Sequence, residues 1–378
     1  MSVYLDYAAT TPVDPRVLEA MLPYFTQHAG NASSMHAFGQ EARAAVDRAR
    51  VEVAGLLGAR PGEIVFTSGA TEADNLAIIG VALGDGGRRH VITSAIEHHA
   101  ILEACHFLEQ RGHEVTVVPV GASGIVDPDD VRRAVRPDTA LISIMAANNE
   151  IGTLQPVAEI GAIAREHGVP FHSDATQWVG ALPARVDDLR VDLLSLSGHK
   201  RYGPKGIGAL YVRTGTPLVP LQRGGGHERG RRGGTENVPG IVGLGAALRI
   251  AGGEMADEGE RQTALRDRLI AGALEIPGVV LNGDPDRRLP NNVNLSAAGT
   301  DSQSLVIALD LRGIAVSAGS ACSSGTLEAS HVLSALGVAP ERAMSAVRLT
   351  LGRPTTAAEI DEALEALRTV VTQLRQAA

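Results

Sequence analysis

The sequence predicts an α/β fold with a mostly parallel seven-stranded sheet, followed by a smaller α+β unit. Short apolar runs alternate with amphipathic stretches between residues 64 and 212. Continuous apolar strands separated by helices are typical of a sheet covered on both faces. Beyond residue 252 the pattern changes to long helical stretches with a few strands, and the 378-residue chain is long enough for two domains.

The predicted strands of the large sheet lie at 64–67, 90–93, 114–120, 140–146, 170–173, 193–197 and 208–212. Amphipathic segments with helical spacing separate several of them, at 72–83, 100–110 and 157–167. In such sheets the ligand site lies beyond the carboxyl ends of the strands. We therefore expect the polar residues that end these strands to meet at one edge.

Further along the chain, the Gly- and Arg-rich segment 223–234 interrupts this alternation, and two helical stretches follow it at 238–251 and 255–274. We place a domain boundary at Gly252 and Gly253. This gives a large cofactor-binding domain over 15–252 and a small C-terminal domain over 253–378. Residues 1–14 are too few for a separate unit, and we expect them to pack near the site or the small domain.

Charge and composition argue against several classes of function. The chain carries 34 basic and 43 acidic residues, and its formal net charge of −9 disfavours a general nucleic-acid or anionic-membrane surface. No apolar run is long enough to span a bilayer, and residues 1–10 lack the pattern of a signal peptide. The sequence predicts a cytoplasmic protein with neither a nucleic-acid nor a membrane partner.

The two cysteines, Cys105 and Cys322, cannot by themselves form a metal cage or a disulfide framework. Cys105 lies among apolar residues with helical spacing, so we predict a small buried hydrophobe there. Cys322 lies in a stretch of small residues, 317–325, that offers little to bury it. We predict no metal site and two different roles for the two cysteines.

Two neighbouring strand ends carry an acid and a lysine. Asp174 and Gln177 follow one strand, and His199 and Lys200 follow the next. This pairing suits pyridoxal phosphate (PLP), because the amine forms a Schiff base with the aldehyde and the acid keeps the pyridine nitrogen protonated. Gln177 could reach the ring hydroxyl. An ordinary surface lysine is the alternative when a lysine stands alone, and the pair favours the cofactor.

Other strand ends offer further cofactor contacts. Ala70 and Thr71 open a helix whose free N–H groups suit a phosphate, although an ordinary helix cap has the same composition. Ser197 could also reach the phosphate. His98 could stack on a planar cofactor, with helix capping as the alternative. Asn149 could bind a cofactor hydroxyl or a substrate carboxylate, or form a turn.

Two candidates lie further along the chain. Thr235 follows the glycine-rich segment and could donate to a phosphate, with a mobile surface loop as the alternative. Arg348 is a charge inside an apolar strand of the small domain. Its planar guanidinium matches a substrate carboxylate, and a structural ion pair is the competing interpretation.

Together these motifs make the chain resemble the cysteine desulfurases, above all the group that serves iron–sulfur cluster assembly and nitrogen fixation. The resemblance covers nearly the whole chain and rests on residues 4–12, 67–72, 148–152, 174–177, 197–200, 225–230 and 319–322. It implies the PLP-dependent fold of aspartate aminotransferase, within the class V aminotransferases, and a homodimer.

The resemblance also implies a role for each candidate. Lys200 is the implied Schiff-base lysine, Cys322 the implied sulfur-accepting nucleophile and His98 the histidine stacked on the ring. His98 is also a catalytic candidate, because it could handle the proton of the Cys322 thiol. The implied contacts to PLP are those of Ala70, Thr71, His98, Asn149, Asp174, Gln177, Ser197, His199, Lys200 and Thr235, the last from the partner subunit. Asn149 and Arg348 are the implied contacts to the substrate, L-cysteine.

The predicted function is that of a PLP-dependent cysteine desulfurase, a transferase that converts L-cysteine to L-alanine and a persulfide on Cys322. The implied protein partner is a sulfur acceptor or iron–sulfur scaffold. An aminotransferase of the same fold needs no Cys322, and a selenocysteine lyase would differ in preferring selenocysteine. A carrier or regulatory protein without catalysis is disfavoured by the intact pair of Lys200 and Asp174.

Overall fold

The structure is a computed structural model that describes residues 2–84, 86–318 and 329–377. Its strands are β1 Val3–Tyr4, β2 Ile64–Thr67, β3 His90–Ser94, β4 Glu114–Val118, β5 Thr139–Ser143, β6 Phe171–Asp174, β7 Leu193–Ser197, β8 Gly208–Val212, β9 Val279–Leu281, β10 Asn292–Ala297, β11 Ile314–Ala315, β12 Ser317–Ala318 and β13 Ala346–Thr350.

The α-helices are α1 Pro15–Met21, α2 Pro23–Thr26, α3 Ala37–Leu57, α4 Ala70–Gly84, α5 His99–Glu109, α6 Pro128–Ala134, α7 Val157–Glu166, α8 Val186–Leu189, α9 Val238–Leu274, α10 Ser302–Asp310, α11 His331–Ala335, α12 Pro340–Ala343 and α13 Ala357–Ala377. Short 3-10 turns occupy Pro61–Glu63, Gly198–Lys200 and His227–Gly230. Within the described ranges, no helix combines the length and the apolar character needed to cross a membrane.

The large sheet has seven strands in the order β2-β8-β7-β6-β5-β3-β4. Strand β8 is antiparallel to both of its neighbours, and the other strands run parallel to one another. The predicted mostly parallel, seven-stranded sheet is therefore confirmed. The largest difference is at β5, which ends at Ser143 instead of residue 146. The chain nevertheless stays beside β6 up to residue 146, because the N–H groups of Ile144 and Ala146 donate to the carbonyls of His172 and Asp174 at 3.2 and 2.8 Å.

Alternate residues of the central strands pack on opposite faces of this sheet. Ile64 and Phe66 of β2 join α3, α7 and the first half of α9 in one core cluster, whereas Val65 joins α4 and α5 in another. With helices on both faces, these strands have no solvated side, which explains their uninterrupted apolar sequences. The free thiol of Cys105 lies in the second cluster, as predicted for a small buried hydrophobe.

A second, antiparallel sheet forms the C-terminal part, in the order β12-β13-β10-β9. It packs with α10, α13 and the end of α9 around a core of its own. The first residues of the chain join this part, because β1 pairs in parallel with β11 and Asp6 bridges to Thr350.

Helix α9 is continuous over 37 residues, so the prediction of two helices separated at Gly252 and Gly253 is wrong. A glycine inside a helix costs about 1 kcal/mol relative to alanine but does not end it. Neither glycine has a positive φ, and the helix packs on both sides of the pair, against α3 before it and α13 after it. The division into two domains at this point stays a prediction.

A buried ion pair anchors the glycine-rich segment 223–234. The Arg50 Nη1 and Nη2 atoms on α3 donate to the Glu228 carboxylate at 2.7 and 2.8 Å. The same carboxylate accepts the Phe66 N–H at 3.1 Å. Glu228 has a φ of 47°, in the left-handed region, and these contacts offset the strain of that backbone. The segment is therefore tied to strand β2.

Replacing Arg50 with Ala is expected to lower the free energy of unfolding by about 3–5 kcal/mol, because the buried Glu228 charge would lose its partner. Urea unfolding followed by far-UV circular dichroism measures the change. The control is Arg132→Ala, which breaks an exposed pair with Glu166 and should cost less than about 1 kcal/mol. Equal urea midpoints for the two variants would contradict the prediction that the buried pair contributes more to stability than the exposed pair.

Candidate active site

A cavity of about 550 Å³ lies at the carboxyl ends of the parallel strands. The first turn of α4 lines it after β2, His98 after β3, Asn149 after β5, Asp174 at the end of β6 and Lys200 after β7. Strand ends that are far apart in sequence thus meet at one edge of the sheet, as the parallel arrangement requires.

Most of the predicted site residues line this cavity: Ala70, Thr71, His98, Asn149, Asp174, Gln177, Ser197, His199, Lys200 and Arg348. Thr235 does not. It lines a neighbouring pocket of about 190 Å³ that shares Ser68 and Gly206 with the cavity. Cys322 lies outside the described residues. Among those that are described, no cluster of His, Cys, Asp and Glu suits a metal ion.

The N-terminal segment supplies two hydrogen-bond acceptors for Lys200. The Lys200 Nζ atom donates to the carbonyl oxygens of Ala8 and Ala9 at 2.7 and 2.8 Å. Both residues, and Thr10 after them, line the cavity. Sequence reasoning missed them as site residues because backbone carbonyls leave no trace in the residue type. The available signals were the expectation that residues 1–14 pack near the site or the small domain and the place of residues 4–12 among the motifs of the resemblance.

Gln177 and His199 also bond to this segment. The Gln177 Nε2 donates to the Ala8 carbonyl at 3.1 Å, and His199 Nδ1 lies 3.2 Å from Thr10 Oγ1. Burial, reinforced by the charge of Lys200, lowers the pKa of His199 to about 4. His199 is therefore neutral near pH 7.

Asp174 lies close to other buried polar residues. Its Oδ1 accepts the Thr176 N–H at 2.9 Å. Asp74 of α4 also lines the cavity, and burial together with the charge of Asp174 raises its pKa well above the usual range. His172 lies fully buried between two serine hydroxyls, and burial lowers its pKa to about 3. Both shifts favour neutral forms, which limits the charge next to Asp174.

Sequence reasoning missed Asp74. Its helix, α4, buries most of its residues and shows only a weak apolar stripe. The available signal was an acid four residues beyond Ala70, which places it one turn further along on the same side of the helix.

His98 both caps a helix and lines the cavity, so the two alternatives open at the sequence level are compatible. Its Nδ1 accepts the N–H of Ala100 at 3.1 Å and thereby caps α5. Burial is the main cause that lowers the pKa of His98, which favours the neutral ring. Because Nδ1 accepts a hydrogen bond, the proton of the neutral ring lies on Nε2.

Glu97 fixes the turn that carries His98. The Glu97 Oε1 accepts the Ser94 hydroxyl at 2.5 Å and the Met145 N–H at 2.9 Å. Burial raises the pKa of this carboxyl to about 8. Its side chain therefore joins the turn after β3 to the chain that follows β5.

Arg348 forms a structural ion pair, which at the sequence level was the alternative to a contact with the substrate carboxylate. Its Nη2 donates to Asp6 Oδ1 at 2.9 Å and its Nη1 to the Asn149 carbonyl at 3.0 Å. The side chain is only 2% exposed, yet it lines the cavity. The Arg348 Nε is buried without a hydrogen-bond partner among the residues that the structure describes.

The comparison with known proteins agrees with this geometry. The family model described as Aminotransferase class-V matches residues 3–363. Cysteine desulfurase IscS of Dictyoglomus turgidum is 52% identical over 375 residues, which cover 99% of this chain and 95% of that protein. Cysteine desulfurase IscS of Methanosarcina thermophila is also 52% identical over 375 residues, covering 99% and 93% of the two chains.

A solved structure extends the likeness to the fold. A NifS-like protein matches with a TM-score of 0.93 at 39% sequence identity, covering 99% of this chain and 100% of that one. The fold implied by the resemblance is confirmed. Since sequence, length and fold all agree, the chain belongs to the cysteine desulfurases of the class-V aminotransferase family.

Proposed function

We propose that this protein removes the sulfur of L-cysteine, releases L-alanine and leaves a persulfide on Cys322 for transfer to an acceptor. The observation that carries the proposal is the meeting of Lys200, Asp174, His98 and Arg348 around one cavity, in a member of the cysteine desulfurase family. The reaction balances as cysteine plus thiol giving alanine plus persulfide: one carbon–sulfur bond breaks and one sulfur–sulfur bond forms.

The cavity suits pyridoxal 5'-phosphate, the cofactor of this family. The first turn of α4, at Ala70 and Thr71, offers N–H groups without intrahelical partners to a phosphate. Thr176 Oγ1 is buried at the cavity and has no hydrogen-bond partner among the described residues. When bound, the cofactor supplies an aldehyde for amines and a ring that accepts electrons released at the substrate Cα.

In this proposal the amine of Lys200 would hold the cofactor, and the free amine would serve as the base that removes the Cα proton of the substrate. Asp174 would stabilise a proton on the ring nitrogen of the bound cofactor. Gln177 would bind the ring hydroxyl, and Ser197 and His199 would contact the phosphate. The neutral state of His199 leaves the nearby positive charge to Lys200 and Lys205, which favours an anionic ligand.

Arg348 and Asn149 hold the substrate carboxylate. The guanidinium is already oriented by Asp6 and by the Asn149 carbonyl, and it lines the cavity. An oriented guanidinium loses less side-chain entropy when it binds a carboxylate. Arg348 therefore places the substrate with its amine toward Lys200.

His98 acts as a proton donor. The cap at Ala100 occupies its Nδ1, so the neutral ring offers an N–H at Nε2 and not a lone pair. A second proton would turn Nδ1 into a donor and break the cap, which is consistent with the lowered pKa of His98. His98 thus delivers a proton to the substrate while Cys322, as the thiolate, attacks the sulfur.

We also infer a homodimer, a cytoplasmic location and an iron–sulfur scaffold as sulfur acceptor. Thr235 lies outside the cavity of its own chain, which supports a phosphate contact across a subunit interface. Large apolar side chains are exposed between residues 18 and 38, among them Phe25, Met35 and Phe38. Exposed apolar side chains of this size are common at interfaces between subunits.

Incubation of the holoenzyme with L-cysteine should yield alanine and one added sulfur on the Cys322 peptide. Cys322→Ala should lower alanine formation by at least about 1,000-fold, because the sulfur would have no acceptor. It should leave the visible absorbance of bound PLP unchanged. Alanine analysis and peptide mass spectrometry measure both outcomes.

Cys105→Ala is the matched control, since burial raises the pKa of that thiol to about 12 and removes its thiolate. Sulfur on Cys105, or full turnover of the Cys322→Ala protein, would contradict the proposal. A strong preference for L-selenocysteine over L-cysteine would instead identify a selenocysteine lyase.

Two substitutions of His98 separate its cap from its proton. In His98→Asn the amide oxygen can still cap α5, but no group replaces Nε2. Turnover should therefore fall by about 100-fold or more, with unchanged stability. In His98→Ala turnover should fall as far as in His98→Asn. The free energy of unfolding should also fall by ~1 kcal/mol, the usual contribution of a helix cap. Steady-state kinetics and urea unfolding test this, and near-normal turnover of His98→Asn would refute the donor role.

A further inference from the structure

Helix α11 is docked on the turns that carry His98 and Asn149. Its N-cap, Ser330, donates from Oγ to Glu150 Oε2 at 2.5 Å and accepts the N–H of Val332 at 3.1 Å. Val332 and Leu333 pack with Ile96, Met145 and Ile151 in one buried cluster. A helix late in the chain is thus fixed to the loops at the edge of the large sheet.

His331, the first residue of α11, bonds to the residue before His98. Its Nε2 lies 3.0 Å from the Glu97 carbonyl oxygen. A carbonyl only accepts hydrogen bonds, so His331 is the donor and carries a proton on Nε2. Its ring packs against that of His99, with centroids 4.8 Å apart. His331 therefore contacts both sequence neighbours of His98.

The turn from Glu97 to His99 is consequently held from two sides. The Glu97 side chain is fixed by Ser94 and Met145, and its carbonyl by His331. His98 itself makes the cap bond to Ala100. A rotation of the Glu97–His98 peptide would move the imidazole of His98 within the cavity. The hydrogen bond from His331, in the C-terminal part of the chain, opposes that rotation.

We propose that His331 is a positioning residue for His98: its hydrogen bond to the Glu97 carbonyl sets the direction in which His98 presents its Nε2–H to the cavity. The inference rests on the proposed function, because it concerns the proton that His98 delivers. Positioning errors of about 1 Å at a reacting group can cost about 100-fold in rate, so a single bond of this kind has a measurable effect.

The test compares His331→Gln with His331→Asn in the holoenzyme. Both introduce an amide, but only glutamine is long enough to bring its Nε2 to the position of the imidazole Nε2. His331→Gln should retain turnover within about threefold of wild type, and His331→Asn should lose about tenfold or more. Cysteine affinity, measured by the change in cofactor absorbance, should stay within about twofold for both, since Arg348 and Asn149 are untouched.

Visible circular dichroism of the bound cofactor is the second measurement. It reports the orientation of groups around the PLP ring and does not depend on turnover. His331→Asn should change it and His331→Gln should not. His106→Asn, on the exposed part of α5, is the control and should change neither turnover nor the spectrum.

A double-mutant cycle decides whether His331 acts through His98. In the His98→Asn background, His331→Asn should lower residual turnover by less than about twofold, because the group that it positions is already absent. Fully additive losses would overturn the proposal, as would equal losses in His331→Gln and His331→Asn. If His331→Asn does not fold, His331→Phe replaces it, since phenylalanine keeps a ring against His99 but donates no hydrogen bond.

The outcome is separable from that of the proposed function. Wild-type enzyme that makes no alanine from cysteine would refute the desulfurase proposal. The circular dichroism comparison needs only bound PLP, so it still shows whether His331 orients His98.

Discussion

The buried guanidinium of Arg348 is the interaction on which the site depends. A buried charge without partners costs several kcal/mol, and Arg348 finds its partners in Asp6 and the Asn149 carbonyl. Strand β13, the N-terminal segment and the turn after β5 must therefore come together. Once Asp6 is held there, the carbonyls of Ala8 and Ala9 reach Lys200. The hydrogen bonds of Lys200 thus depend on an ion pair made by Arg348, which lies in the second sheet.

Burial determines which ionisable groups around the cavity are neutral. It favours neutral forms of several groups that would otherwise compete for protons: Asp74, His98, His172 and His199. The other ionisable groups of the lining include the cations Lys200, Lys205 and Arg348 and the acids Asp174 and Glu72. Two of them have ion-pair partners outside the lining, Glu72 in Arg232 and Arg348 in Asp6. Cations thus outweigh acids there, which suits a ligand that carries a phosphate and a substrate that carries a carboxylate.

The parts of the site that follow strand ends could be predicted, and the parts made of backbone could not. Asp174 and Lys200 were predictable because parallel strands place their carboxyl ends at one edge. The carbonyls of Ala8 and Ala9 were not, since any residue type offers one. The unbroken α9 was missed because two adjacent glycines suggest a helix end, whereas packing against α3 and α13 outweighs their low propensity.

The two described ends that flank the segment with Cys322 are both fixed at the site. Before it, Ser317 of β12 pairs with Arg348, and after it, Ser330 bonds to Glu150. One end therefore lies beside the proposed carboxylate contact and the other beside the turns of Asn149 and His98. The C-terminal part thus contributes more to the site than Arg348, because through His331 it also bonds to the turn that carries His98.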